Sequence, residues 1–114
     1  MGPRRHSRVR LKTTVTIVPH GAMSGSVGFA EDLSMSGMFI ATLDPLPFGC
    51  ALTIRFTLPG QNVELVLPAV VRWVRRDEGM GVQFGLLGAR ETHAIAQFLD
   101  EHGCDEGSGG AKAG

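Results

Sequence analysis

The stretch DLSMSGMFI, residues 32 to 40, places a short polar segment between two apolar ones. The flanking segments, residues 27 to 33 and 37 to 43, favour extended backbone, whereas Ser-Met-Ser between them is typical of a tight turn. The stretch therefore predicts a β-hairpin whose connection carries the polar side chains of Asp32 and Ser34.

The rest of the chain continues this alternation of apolar and polar residues. Four further strands are predicted at residues 13 to 18, 51 to 58, 63 to 75 and 80 to 84. Because Pro68 has no backbone N–H to donate, we expect an edge or a bulge in the long fifth strand. Six strands joined by short turns indicate an all-β fold, either an antiparallel barrel or a sandwich.

The hydrophobic period changes towards the C-terminus. Ile95, Phe98 and Leu99 have the spacing of one helix face, so residues 89 to 101 predict an amphipathic helix whose apolar side caps the barrel. The last segment, residues 103 to 114, is rich in glycine and poor in apolar residues, and we expect it to be a disordered tail.

Composition limits the organisation of the chain. Its 114 residues, 43% of them hydrophobic, suffice for one core, and we expect one domain at residues 13 to 102. No apolar run reaches the roughly 18 residues of a membrane span, and no signal peptide is recognisable, so a cytoplasmic protein without membrane insertion is predicted. Cys50 and Cys104 lie in unlike contexts and predict free thiols rather than a disulfide.

The net charge is zero, but its distribution is uneven. Residues 1 to 12 carry five basic side chains and no acidic one, whereas the other 102 residues carry six basic and eleven acidic side chains, a net charge of −5. A basic segment on an acidic body indicates that this segment, rather than the whole surface, meets an anion. We expect residues 1 to 12 to form a flexible N-terminal arm.

The arm contains RRHSR, residues 4 to 8. Guanidinium groups bind phosphate oxygens bidentately and also stack on aromatic rings, so Arg4, Arg5 and Arg8 suit a ligand that is phosphorylated and aromatic, a nucleotide. The alternative is a basic segment that is only solvated.

The polar connection at residues 32 to 37 offers complementary chemistry. In extended backbone Asp32 and Ser34 point to the same side, where a carboxylate accepts N–H donors of a purine edge and a hydroxyl meets a phosphate. Gly37 permits a positive φ or a close approach of backbone. The same residue types fill ordinary turns, so this stretch alone leaves both interpretations open.

These stretches, in this order, resemble the PilZ domain family. RRHSR contains the pattern R-x-x-x-R, and DLSMSG matches D-x-S-x-x-G. Further along, GMFI at residues 37 to 40, VVRWV at 70 to 74 and GMGVQF at 79 to 84 are similar to later strands of the family. The resemblance extends from residue 4 to about residue 101. It implies the family's six-stranded antiparallel β-barrel with a C-terminal α-helix.

Members of this family bind the bacterial second messenger cyclic di-GMP, so the resemblance implies this ligand and no further cofactor. It assigns Arg4 and Arg8, with Arg5 as an extra contact, to a segment that wraps over the ligand's phosphates and guanine faces. An arginine beside the R-x-x-x-R motif, as Arg5 is here, is compatible with an intercalated pair of ligand molecules. A single bound molecule is the alternative.

The resemblance assigns the other side of the ligand to Asp32, Ser34 and Gly37, with Asp32 accepting from a guanine edge. Trp73 permits two interpretations. A tryptophan in an apolar strand is by default a core residue, whereas the resemblance places its ring in the lining of the ligand site. Its neighbours Arg72, Arg75 and Arg76 are expected to form a solvated face.

No catalytic or metal site is predicted. His93, His102 and Cys104 lack a fourth ligand and the spacing of a structural metal site. The serines have no histidine nearby in sequence, and neither a G-x-S-x-G elbow nor a P-loop is present. An enzyme is therefore not expected.

The sequence predicts a cyclic di-GMP receptor whose arm becomes ordered on binding and which relays the signal to a separate protein, in motility or biofilm regulation. The alternative is a PilZ-like interaction adaptor that needs no ligand. A barrel for single-stranded nucleic acid would need aromatic platforms on its face, whereas most of the six phenylalanines are expected in the core, so no nucleic-acid partner is predicted. We expect a monomer or weak dimer.

Overall fold

A computed structural model describes residues 8 to 103, in which six strands precede one helix. The strands are β1 (Val9–Pro19), β2 (Ser26–Leu33), β3 (Gly37–Ala41), β4 (Ala51–Thr57), β5 (Glu64–Arg75) and β6 (Gly79–Phe84), and the helix is α1 (Ala89–Gly103).

The six strands close into a barrel in the order β1-β2-β3-β6-β5-β4, and every neighbouring pair is antiparallel. The predicted six-stranded antiparallel barrel with a C-terminal helix is therefore confirmed. Strands that follow each other in the chain pair as hairpins, except β3 and β4. Instead, β3 pairs with β6, and β1 pairs with β4 to close the barrel. The β3–β6 pairing brings the polar connection after Asp32 next to the late strands that carry Trp73.

The apolar core is formed by every second side chain of the strands. Along β4 the side chains of Leu52, Ile54 and Phe56 are buried while their neighbours are not, which is typical of a strand with one face on the core. Ile95 and Phe98 of α1 are also buried and belong to the same apolar cluster. Helix α1 thus packs against the barrel core, as its sequence spacing predicts.

The first strand begins earlier than the sequence indicates. Val9 pairs with Leu33 and Arg10 with Asp32, so residues 9 to 12 belong to the barrel rather than to the arm, whose predicted boundary at residue 12 is too late. The physical reason is that Val9 is buried and Leu11 packs on the core, while the charged neighbours of these residues mask the alternation. Residues 1 to 7 and 104 to 114, with most of the predicted arm and tail, lie outside the described residues.

Pro68 lies at a local edge of the barrel. Strand β5 pairs with β4 along residues 64 to 70, but β6 ends where Phe84 meets Ala69. The carbonyl of Pro68 accepts a hydrogen bond from the Gly85 N–H at 2.8 Å on that same side, beyond the end of the ladder. A residue without an N–H therefore costs no ladder bond here, in agreement with the predicted edge.

Candidate functional site

The connection between β2 and β3 is held together by the hydroxyl of Ser34. Its Oγ accepts hydrogen bonds from the backbone N–H groups of Ser36 and Gly37, both at 3.2 Å. The Ser34 N–H donates to the Gly37 carbonyl at 2.9 Å, which closes the turn. Ser34 is only 5% exposed. The hydroxyl is thus engaged in shaping the turn, as in the ordinary turn that the sequence analysis left open.

Gly37 allows two strands to approach each other closely. A Cβ at this position would collide with the backbone carbonyl of Val82 on β6. Its φ angle is not positive, so of the two roles considered for this glycine the structure supports the close approach.

Asp32 connects the arm to the hairpin. Its Oδ1 accepts a hydrogen bond from the Phe39 N–H at 3.0 Å and from Arg8 Nη1 at 2.7 Å. The Arg8–Asp32 contact is an ion pair in which the arginine side chain is 50% and the carboxylate 26% exposed. The structure therefore brings together one residue from each of the two sequence motifs. Arg4 and Arg5 lie outside the described residues.

Trp73 lies on the outer surface of the barrel, so its interpretation as a core residue is wrong. Alternation through Leu67, Ala69 and Val71, all buried, would also turn residue 73 inwards. An irregularity in the β5–β6 pairing between Val71 and Trp73 shifts this phase, and Trp73 is 41% exposed. A bulge of this kind leaves no clear signal in the local sequence.

Two aromatic rings meet on this surface because the strand between them carries glycine. Gly81 of β6 pairs with Phe39 on one side and with Trp73 on the other. With no side chain at Gly81, the two rings stack across β6 with centroids 5.2 Å apart and planes inclined by 20°. A Cβ at Gly81 would collide with the Trp73 indole, and one at Gly79 with the Phe39 ring. We call this pair of rings the aromatic platform.

Arg75 covers the aromatic platform. Its guanidinium carbon lies 5.1 Å from the centroid of the Trp73 ring and 5.6 Å from that of Phe39, within the range of cation–π attraction. Among the described residues it forms one ion pair, a loose one with Glu78 at 3.5 Å, and both side chains are more than half exposed. Arg75 is exposed, in agreement with the predicted solvated face, and it also lies over two rings.

Trp73 borders two shallow depressions. We call the larger one the base-side depression, because aromatic rings on which a flat base could stack lie in its floor. Its volume is about 490 Å³. It is lined by Arg10, Glu31, Asp32, Phe39, Trp73, Arg75 and Glu78. The arginine depression measures about 190 Å³, and Arg8 and Arg72 are the charged residues in its lining. Among the residues that the structure describes, the first therefore has charged side chains of both signs, whereas the charged side chains of the second are both cationic.

Most of the six phenylalanines are buried, as expected: Phe56, Phe84 and Phe98 lie in the core cluster and Phe39 is stacked on the Trp73 ring, whereas Phe29 and Phe48 are exposed. The barrel face nevertheless carries an aromatic platform, because Trp73 is 41% exposed. The absence of a nucleic-acid partner stays a prediction, supported by the net acidic charge of the chain after residue 12.

Within residues 8 to 103 no group of three or more histidine, cysteine or acidic side chains could hold a metal ion. No helix there has the length and apolar character needed to cross a membrane.

The fold and the site define a small β-barrel with a conjunction of arginine, carboxylate and aromatic groups on one outer face. The family model described as "PilZ domain" matches residues 3 to 101, and the chain belongs to the PilZ domain family. No curated protein matches the chain.

Solved structures share the fold at low sequence identity. The Bacillus subtilis inhibitor of motility MotI/DgrA has a TM-score of 0.73 and 19% identity over 95% of this chain and 55% of its own. The chain thus spans about half the length of that protein. The PilZ domain of Escherichia coli YcgR, solved with c-di-GMP, has a TM-score of 0.72 and 14% identity over 92% of this chain and 95% of its own. The PilZ domain of CeSA from a cellulose-synthesizing bacterium has a TM-score of 0.64 and 21% identity over 83% of this chain and 96% of its own.

Sequence reasoning missed the residues that build the platform around Trp73. These are Phe39, Gly79, Gly81 and Arg75, together with Arg10 on the rim of the base-side depression. The sequence does contain a signal for this platform. The two glycines of GMGVQF lie on β6, between β3 with Phe39 and β5 with Trp73. Only the strand order β3-β6-β5 makes that signal readable.

Proposed function

We propose that this domain is a cytoplasmic receptor for cyclic di-GMP, a binding domain rather than an enzyme. The observation that carries the proposal is the 2.7 Å ion pair between Arg8 and Asp32, which joins the two sequence motifs beside the partly exposed Trp73 ring of the aromatic platform. Membership of the PilZ family supports it, as do the structures of the YcgR domain with c-di-GMP and of a Klebsiella MrkH–c-di-GMP complex.

The two depressions suggest how the ligand's parts are divided. The arginine depression has Arg8 and Arg72 in its lining and, within residues 8 to 103, no acidic side chain. It suits a phosphate, because guanidinium groups form charge-assisted bidentate hydrogen bonds with phosphate oxygens. Each such bond contributes about 1.5–3 kcal/mol net. Arg4 and Arg5 are proposed to add further phosphate contacts when the arm closes over the ligand.

The hairpin residues are proposed to act in different ways. Asp32 Oδ1 accepts hydrogen bonds from Arg8 and from the Phe39 N–H, so this carboxylate orients Arg8. The same carboxylate is proposed to accept hydrogen bonds from a guanine edge. Ser34 and Gly37 contribute through shape, since the hydroxyl of Ser34 holds the turn and Gly37 lets β3 approach β6. Ordering of the arm on binding would then change the surface presented to a partner protein.

The test is isothermal titration of the chain with cyclic di-GMP, with GTP and cyclic AMP as controls. Saturable binding of cyclic di-GMP is expected, and the molar ratio distinguishes one ligand molecule from an intercalated pair. Arg8→Ala should weaken binding at least about tenfold, because it removes charge-assisted bonds of the size given above. The matched control is Arg90→Ala, an exposed charge on helix α1 that lines neither depression.

Two results would contradict the proposal. Wild-type affinity in the Arg8→Ala variant would remove Arg8 from the site. An absence of binding by the unmodified chain would remove the receptor function itself.

A ligand-independent interaction adaptor is the second candidate, and one observation favours it. Val27, Phe29 and Leu43 are 59%, 47% and 86% exposed and line an apolar groove of about 460 Å³. Exposed apolar groups in a contiguous patch are typical of surfaces that bind other proteins. The titration separates the candidates, because the adaptor predicts no heat of binding with cyclic di-GMP.

A further inference from the structure

The base-side depression has the chemistry of a site for a neutral heteroaromatic ring. Its floor is formed by the Trp73 ring, which is 41% exposed and is packed on the buried Phe39 ring, and a flat base can stack on the exposed indole. Its rim carries two guanidinium groups and three carboxylates, and one of these carboxylates, Asp32, is paired with Arg8. This rim has no excess of cations to attract a phosphate, whereas its mixture of donors and acceptors matches a base with both donor and acceptor edges.

Guanine fits this rim better than adenine. One guanine edge presents the acceptors O6 and N7, which pair bidentately with an arginine, and the opposite edge presents N–H donors, which pair with a carboxylate. Adenine presents an amino donor in place of O6, and a guanidinium has only donors to offer it. An arginine at the edge of the platform would therefore distinguish the two bases.

Of the arginines near the platform, Arg75 is best placed for this task. Its guanidinium already lies over both rings, at 5.1 and 5.6 Å from their centroids. Its contact with Glu78 is long, at 3.5 Å, and both side chains are exposed, so a change of side-chain conformation costs little. A base entering the platform takes the position that Arg75 holds over the rings and leaves this guanidinium beside the base.

We propose that Arg75 is a specificity-determining residue, which covers the aromatic platform in the ligand-free protein and reads the O6/N7 edge of a guanine base in the bound one. This inference rests on the proposed function, because it concerns one base of the same ligand. It assigns the phosphates to the arginine depression and the base to the other side of Trp73.

A cycle between protein and ligand variants tests the assignment. Cyclic di-GMP and its analogue with 7-deazaguanine bases, which lacks the N7 acceptor, are titrated into the unmodified chain, Arg75→Met and Arg75→Lys. Arg75→Met should lower the affinity for cyclic di-GMP by about tenfold, the size of one bidentate base contact. The 7-deaza change should weaken binding to the unmodified chain more than to either variant, because neither variant retains the planar fork.

Arg76→Met is the matched control, since Arg76 is the next residue, is exposed and lines neither depression. It should behave as the unmodified chain with both ligands. An equal 7-deaza penalty in the unmodified chain and in Arg75→Met overturns the edge-reading role and leaves Arg75 as a general positive charge. If the unmodified chain does not bind cyclic di-GMP, the proposed function falls and this assignment falls with it.

Discussion

Gly81 determines where the Trp73 indole lies. A Cβ at position 81 would collide with the indole, and this far end of an exposed side chain can move away more easily than the backbone of β6. Gly81→Ala should therefore separate Trp73 from Phe39 while the barrel stays folded. Trp73 is the only tryptophan, so its fluorescence emission should shift to longer wavelength as the ring becomes more exposed.

The same substitution should weaken cyclic di-GMP binding by about tenfold, because base–aromatic stacking contributes about 1–3 kcal/mol per base. Gly85→Ala is the matched control, as its Cβ would meet only the Pro68 ring and main chain, at 3.3 Å or more. Unchanged emission and unchanged affinity in Gly81→Ala would show that the platform does not depend on this glycine.

At the scale of the element, the turn between β2 and β3 depends on one hydroxyl. Ser34→Ala leaves the N–H groups of Ser36 and Gly37 without their acceptor, and that of Gly37 is buried. The free energy of unfolding should fall by about 1–3 kcal/mol, the cost of an unsatisfied buried polar group. Urea denaturation followed by fluorescence measures it, with Ser24→Ala, at an exposed position outside this turn, as control. Equal stability of the two variants would mean that the turn holds without the Ser34 hydroxyl.

The strands also show what sequence can and cannot predict. Alternation located the strands and the helix because it depends only on which face of each element is buried. It failed at Trp73, since a bulge changes the phase of β5 without changing its composition. It failed again at Val9, whose burial is concealed by charged neighbours. The two sequence motifs together predict that Arg8 and Asp32 belong to one site. The position of Arg75 over the aromatic platform could not be predicted, because it depends on the strand order.

At the scale of the whole molecule, helix α1 is part of the single core. Ile95 is fully buried and packs in the same apolar cluster as the barrel side chains. Ile95→Ala should lower the free energy of unfolding by about 2–5 kcal/mol, through lost burial and the cavity that remains. His93→Ala, at an exposed position of the same helix, is the control. Separate unfolding transitions for helix and barrel would contradict a common core.

Closure of the barrel also bears on self-association. A sheet with free edges can add strands from other molecules, which is a route to aggregation. Within residues 8 to 103 each strand pairs with a strand on both sides, although β1 pairs with β4 only from Thr16 to Pro19, and the overhang of β5 beyond β6 carries Pro68, whose ring offers no N–H to an incoming strand. Recruitment of another chain through side chains on the outer faces would leave these backbone pairings intact. Such contacts can be altered by substitution without opening the fold.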